Sequence, residues 1–210
     1  PTIPSIQTDA VHRLTTKYES EFVKPIRTFI AVNVSPETCT VAGRLLKQLG
    51  AIDDGVKTVK NQNLHITLKF LGEVLVEDTP AICAAVEQAC QSISDFEITS
   101  GGLGAFPEQD RPRTLWMGVE QGVDEIRALQ AAVDHHTQQL GYSGENRLFV
   151  PHLTLARIRN FQGDPEKLQN LFDLYNPGPL TTTHITEVIT YASFMERGTP
   201  NYEVIGRCKL

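Results

Sequence analysis

The sequence predicts an α+β fold built as two similar halves, and three observations carry that expectation. Short β-branched runs alternate with helical stretches without the regular βαβ rhythm of a doubly wound sheet. The order strand–helix–strand–helix–strand is met once before and once after the middle of the chain. A four-residue segment, His-Ile-Thr-Leu at 65–68 and His-Leu-Thr-Leu at 152–155, recurs in the two halves.

Residues 1–24 are polar and weakly patterned and read as an N-terminal extension, leaving 25–210 as one domain. The β-branched run 26–34 reads as a buried strand. Ser35, Pro36 and Glu37 then form a helix start, with Gly50 as the stop. A strand over 64–72 puts His65, Thr67 and Lys69 on one face, and Leu64, Ile66, Leu68 and Phe70 on the other. Helical spacing covers 81–93, strands are expected at 96–103 and 114–120, and 104–113 is the loop between them. An amphipathic helix spans 123–140. The strand 151–158 places His152, Thr154 and Ala156 together, and a short helix at 165–175 with strands at 183–191 and 202–208 completes the chain.

Composition narrows the function. With 210 residues, 40% of them apolar and 21% charged, the chain has the balance of a globular protein with a sizeable core. Its formal charge of −6 argues against coating long nucleic acids, yet leaves room for an enzyme gripping one phosphate ester with a few arginines. No apolar stretch approaches the roughly 20 residues of a membrane span, and no secretory signal pattern opens the chain. No membrane association and a cytoplasmic location are therefore expected; a monomer is the expected state, though no sequence feature points to it. Cys39, Cys83, Cys90 and Cys208 are scattered without a C-x-x-C pair and read as thiols rather than as a disulfide or zinc site.

The repeated motif is where chemistry is expected. In a strand, residues i and i+2 point the same way, so each histidine stands beside its threonine. Phosphodiester cleavage needs a base for the attacking oxygen and an acid for the leaving one, and two imidazoles fill both roles near neutrality. The Thr67 and Thr154 hydroxyls suit the non-bridging oxygens, which gain charge in the transition state. A single His-x-Thr is weak, as the third copy at His184 shows. Two copies with apolar residues at both remaining positions arise from composition alone on the order of once in several hundred chains.

On these motifs, with "RTFIAVNVSPE", "NLHITLKFLGEV", "RPRTLWMGVE" and "NRLFVPHLTLARI", residues 26 to 159 resemble the two-histidine (2H) phosphoesterase superfamily. Within it the likeness is to the RNA 2′,3′-cyclic phosphodiesterases, historically called 2′–5′ RNA ligases. The resemblance implies a bilobal fold, an antiparallel sheet in each lobe and an active-site cleft between them. It implies hydrolysis of an RNA terminal 2′,3′-cyclic phosphate to a 2′-phosphate, with no metal and no cofactor. His65 would protonate the leaving 3′ oxygen and His152 would activate water. RNA ends or small cyclic nucleotides are the implied substrates, and Arg157 the implied phosphate ligand. Lys69, Phe70, Arg113 and Arg147 are candidates for the cleft rim, with Arg111 beside Arg113. Trp116 reads as core.

Other readings stay open at this point. RNA 2′–5′ ligation or another cyclic-nucleotide phosphodiesterase activity would use the same cleft, and a non-catalytic nucleotide- or RNA-binding module could share the fold. A zinc hydrolase is disfavoured by the lack of paired ligand spacing, and a nucleotide enzyme by the short Gly101-Gly102-Leu103-Gly104 run.

Overall fold

The computed structural model describes residues 25–144, 147–176, 178, 180–196 and 198–210. The expected extension, with His12, lies outside the described residues. The elements follow in the order β1 (Ile26–Asn33), α1 (Pro36–Gly50), β2 (Val56–Thr58), β3 (His65–Val74), α2 (Thr79–Cys90), β4 (Phe96–Phe106), β5 (Thr114–Gln121), α3 (Val123–Gln138), β6 (His152–Ile158), α4 (Pro165–Leu174), β7 (Thr181–Ile185), β8 (Glu187–Glu196) and β9 (Thr199–Lys209).

Local chemistry sets several of these bounds. Ser35 caps α1 by accepting the Thr38 N–H at 3.2 Å, with Pro36 in the first turn. Gly50, expected as the stop, is the last helical residue instead. The strand expected at 183–191 is two strands broken at Thr186, because β7 pairs with β4 while β8 pairs with β1 and β9. The three-residue β2 is too short for a period to show, and the sequence reading does not contain it.

The strands form one curled antiparallel sheet in the order β7-β4-β5-β6-β3-β1-β8-β9, with β2 added along β6. The α+β class and the antiparallel sheet agree with the sequence reading. The partition differs from it, because the halves of the sheet are not the halves of the chain. The C-terminal hairpin β8–β9 returns to pair with β1, while β4, β5, β6 and β7 form the other half. The return satisfies the otherwise open backbone edge of β1. Among the described residues the strand ladders of the two halves join between β3 and β6, at the bridge Ile66↔Leu153.

That bridge sits in the middle of both motifs. Ile66, Leu68, Leu153 and Leu155 are 0%, 2%, 0% and 0% exposed. They join Leu45 and Leu49 of α1, Val86 of α2, Leu129 of α3 and Phe172 of α4 in one core. Removing such a leucine to alanine costs about 2–5 kcal/mol. The motif strands are thus anchored from beneath, and their other face carries the histidines. Cys83 and Cys90 are buried, Cys39 and Cys208 half-buried, and all four thiols are free. Among the described residues no helix is long and apolar enough to cross a membrane.

Candidate active site

The pairing Ile66↔Leu153 is antiparallel, so extending it one residue each way brings His65 level with Thr154 and Thr67 level with His152. The two motifs therefore meet head to tail about a local two-fold, each imidazole beside its own hydroxyl and across from the other.

Each ring is held in the same way. His65 Nδ1 lies 2.7 Å from the Asn63 carbonyl and His152 Nδ1 lies 2.7 Å from the Val150 carbonyl, in both cases two residues back. A carbonyl only accepts, so both Nδ1 atoms carry hydrogen and both Nε2 atoms are turned to the site. The Thr67 hydroxyl donates to His65 Nε2 at 3.1 Å.

A β-bulge in each motif strand decides which side chains join them. Asn33, Ala31 and Phe29 lie along one face of β1, opposite His65, Thr67 and Phe70; the pairing skips Leu68. Gly118, Trp116 and Thr114 lie along one face of β5, opposite His152, Thr154 and Arg157; the pairing skips Leu155. In both motifs the leucine is the extra residue, and it shifts the alternation by one. Strict alternation puts Lys69 and Ala156 with the histidines and Phe70 with the core. The bulges reverse all three.

Lys69 is 1% exposed and not at a cleft rim: its ammonium pairs with Asp134 Oδ1 at 2.7 Å and donates to the Tyr142 carbonyl at 3.2 Å. Ala156 is fully buried. Phe70, 59% exposed, and Arg157, also exposed, stand on the histidine face at matching positions, five residues after each histidine. Arg111, Arg113 and Arg147 are exposed. Arg113 lies where β4, β5 and β6 meet, its N–H on the Phe106 carbonyl and its carbonyl taking the Ile158 N–H. Arg147 lies on the connection that leads into His152.

The surroundings of the two imidazoles differ. Phe29 stacks on His65 at 4.8 Å, Tyr202 meets it edge-on at 5.5 Å and Tyr191 lies at 6.2 Å. Burial in this aromatic box pushes the His65 pKa down to about 4; the Asn63 carbonyl opposes the shift and the His152 charge adds to it. Burial also lowers His152, where the Val150 carbonyl acts against and the Arg157 charge with the shift. Phe106 lies edge-on to His152 at 5.0 Å, and Trp116, half-buried on the site face rather than in the core, is 6.0 Å away. Gly118 faces His152 across the strands, and Gly104 faces Trp116, whose indole lies where a Cβ on Gly104 would stand. The glycine run that lacks a nucleotide fingerprint thus makes room for the indole.

The aromatic box is not visible in the sequence. Nothing in the spacing of Tyr191 and Tyr202 shows that β8 and β9 return to β1, beside β3. His184 is remote from both motifs: it sits in β7, at the end of the strand order, and pairs with Asp95 at 2.7 Å. His135 and His136 lie in the last turn of α3.

Comparison with known proteins gives a consistent result. A family model described as "2'-5' RNA ligase superfamily" matches residues 42–190, a span that holds both motifs. An RNA 2′,3′-cyclic phosphodiesterase of Aeropyrum pernix is 33% identical over 156 residues, covering 73% of this chain and 86% of its own. One of Thermotoga maritima is 30% identical over 187 residues, covering 88% and 95%. Among solved structures, a protein of Thermus thermophilus superposes with a TM-score of 0.72 at 22% identity, covering 88% of this chain and 98% of its own. Escherichia coli LigT complexed with 3'-AMP gives 0.68 at 23%, covering 89% and 98%. These two likenesses show a shared fold.

Proposed function

Since the chain belongs to the 2′-5′ RNA ligase superfamily of two-histidine phosphoesterases, we propose that it opens the 2′,3′-cyclic phosphate at an RNA end to leave a 2′-phosphate. The observation that carries this reading is the head-to-tail meeting of the two His-x-Thr pairs at Ile66↔Leu153. The relatives named for the same activity support it.

A cyclic phosphate at this point has one Nε2 on each side of phosphorus. His152, as base, takes a proton from water as it attacks, and His65, as acid, gives one to the departing 3′ oxygen. The Thr67 and Thr154 hydroxyls hold the non-bridging oxygens, and Arg157 neutralises their growing charge. The free enzyme keeps His65 neutral at pH 7. The bound phosphate anion offsets its desolvation and favours the imidazolium. In that complex the imidazolium is the acid that lets the 3′ oxygen leave as a hydroxyl. The reading takes the protein as a cytoplasmic monomer that acts without a cofactor.

The test is ring opening of a cyclic-phosphate-ended RNA in the presence of a chelator, with the product's phosphate position read by phosphorus NMR. Wild type yields the 2′-phosphate. His65→Ala and His152→Ala each lose at least about two orders of magnitude in kcat/KM. A 3′-phosphate product, or loss of activity on chelation, contradicts the reading. Adding a 5′-hydroxyl oligonucleotide to the same reaction scores ligation, in which the 5′ hydroxyl takes the place of water as the attacking group.

A further inference from the structure

The short strand β2 brings a residue to the histidine face that no motif marks. Lys57 pairs across the strands with Arg157, which pairs on its other side with Thr114, which in turn faces Phe106. Directly opposed residues in a sheet share a face with Cβ atoms about 4.5–5.5 Å apart. One row across β2, β6, β5 and β4 thus presents an ammonium, a guanidinium, a hydroxyl and an aromatic ring. It lies beside the row that holds Thr154 and Trp116.

Two like charges directly opposed in a sheet are destabilising. Here they stand without relief: both side chains are exposed, and among the described residues neither Lys57 nor Arg157 has an ion pair. The carboxylate of Asp53, just upstream, accepts the Gly55 N–H at 2.6 Å within its own turn. In the other half of the sheet two cations stand beside carboxylates. Arg207 pairs with Glu187 at 2.6 Å, and Arg27 stands across from Glu73. A polyanion leaving the reaction centre along β6 toward β2 therefore meets two directly opposed positive charges, Arg157 and Lys57.

We propose that Lys57, beside Arg157, is a binding site for the next phosphodiester of the substrate, the one linking the terminal nucleotide to its 5′ neighbour. The proposal rests on the cyclic-phosphodiesterase reading and adds to it a residue that holds the RNA beyond its terminal nucleotide. In such an RNA the two phosphates are one nucleotide apart. Arg157 reaches the reacting phosphate from this row, and Lys57, one strand further out at about 4.8 Å, is left for the next one.

Two measurements with wild type, Lys57→Gln and Lys57→Arg test it. In turnover, Lys57→Gln lowers kcat/KM about five- to tenfold on a trinucleotide ending in 2′,3′-cyclic phosphate, chiefly through KM, and leaves a nucleoside 2′,3′-cyclic phosphate unchanged. Lys57→Arg restores the trinucleotide. In equilibrium binding, which needs no turnover, Lys57→Gln weakens a trinucleotide 2′-phosphate by a similar factor. It also reduces the slope of log K against log salt by about 0.7, the value for one phosphate of a single strand. Equal effects on long and short ligands, or no effect on the trinucleotide, overturn the proposal. If wild type opens neither cyclic phosphate, the functional reading fails, and the binding difference alone decides whether the phosphate site stands.

Discussion

At the scale of single residues, the site rests on two imidazoles whose tautomers are fixed by backbone carbonyls two residues behind them. This arrangement makes the pH dependence predictable in sign. The folded pKa of His65 lies near 4, and His152 is lowered as well. The pair should therefore titrate in two macroscopic steps, both below the ordinary value of about 6.5. The kcat/KM profile is expected to peak on the acid side of pH 6.5 and to fall as pH rises above it, while kcat, reporting the phosphate-bound state, peaks at higher pH. Stability follows the same shift. Above about pH 6.5 both folded and unfolded chains hold His65 neutral. As pH falls from there toward 4 the unfolded chain takes up a proton that the folded one refuses, so stability is lost across that window. Denaturant midpoints measured between pH 7 and 4 should drop less for His65→Gln than for wild type. The histidines and threonines were legible because a four-residue motif repeated. The rings that depress His65 were not, because Phe29, Tyr191 and Tyr202 come from three strands that only tertiary pairing brings together.

Among the elements, the bulges at Leu68 and Leu155 matter most. Period-2 reasoning gives the correct faces up to each motif leucine and the wrong ones after it, for Lys69, Phe70 and Ala156 alike. A bulge inserts one residue without a compositional mark, and both leucines remain apolar and buried as alternation demands. Arg157 is expected at the phosphate from resemblance alone; β5 supplies the physical reason, by carrying it on the face of His152. The β4–β5 pair makes a testable contribution through Gly104. An alanine there collides with the Trp116 indole, so the ring must leave its place beside His152. Gly104→Ala should lower kcat/KM by about tenfold or more, in line with displacement of about 1 Å near the chemistry. It should also shift the emission of the chain's one tryptophan. Unchanged emission with lost activity would mean that the glycine acts in another way.

For the whole molecule, the reading of two similar halves was right about content and wrong about order. Element order along a chain says little about which edge a C-terminal hairpin will close. Here β8 and β9 complete the half of the sheet that β1 and β3 begin. The halves are consequently interleaved and should unfold together. Removal of 187–210 is expected to abolish cooperative urea unfolding rather than to leave a folded first half. The strand pairing at Ile66↔Leu153 is what brings together two histidines distant in sequence. The assignment of those histidines as acid and base is tested most directly by changing the leaving group. A 3′-thio 2′,3′-cyclic phosphate departs as a thiolate and needs no proton, so it removes the demand on the acid alone. The account predicts that His65→Ala opens this substrate within about tenfold of the wild-type rate while His152→Ala stays at least about a hundredfold slower. Recovery by His152→Ala, or equal deficits in both variants, would contradict it.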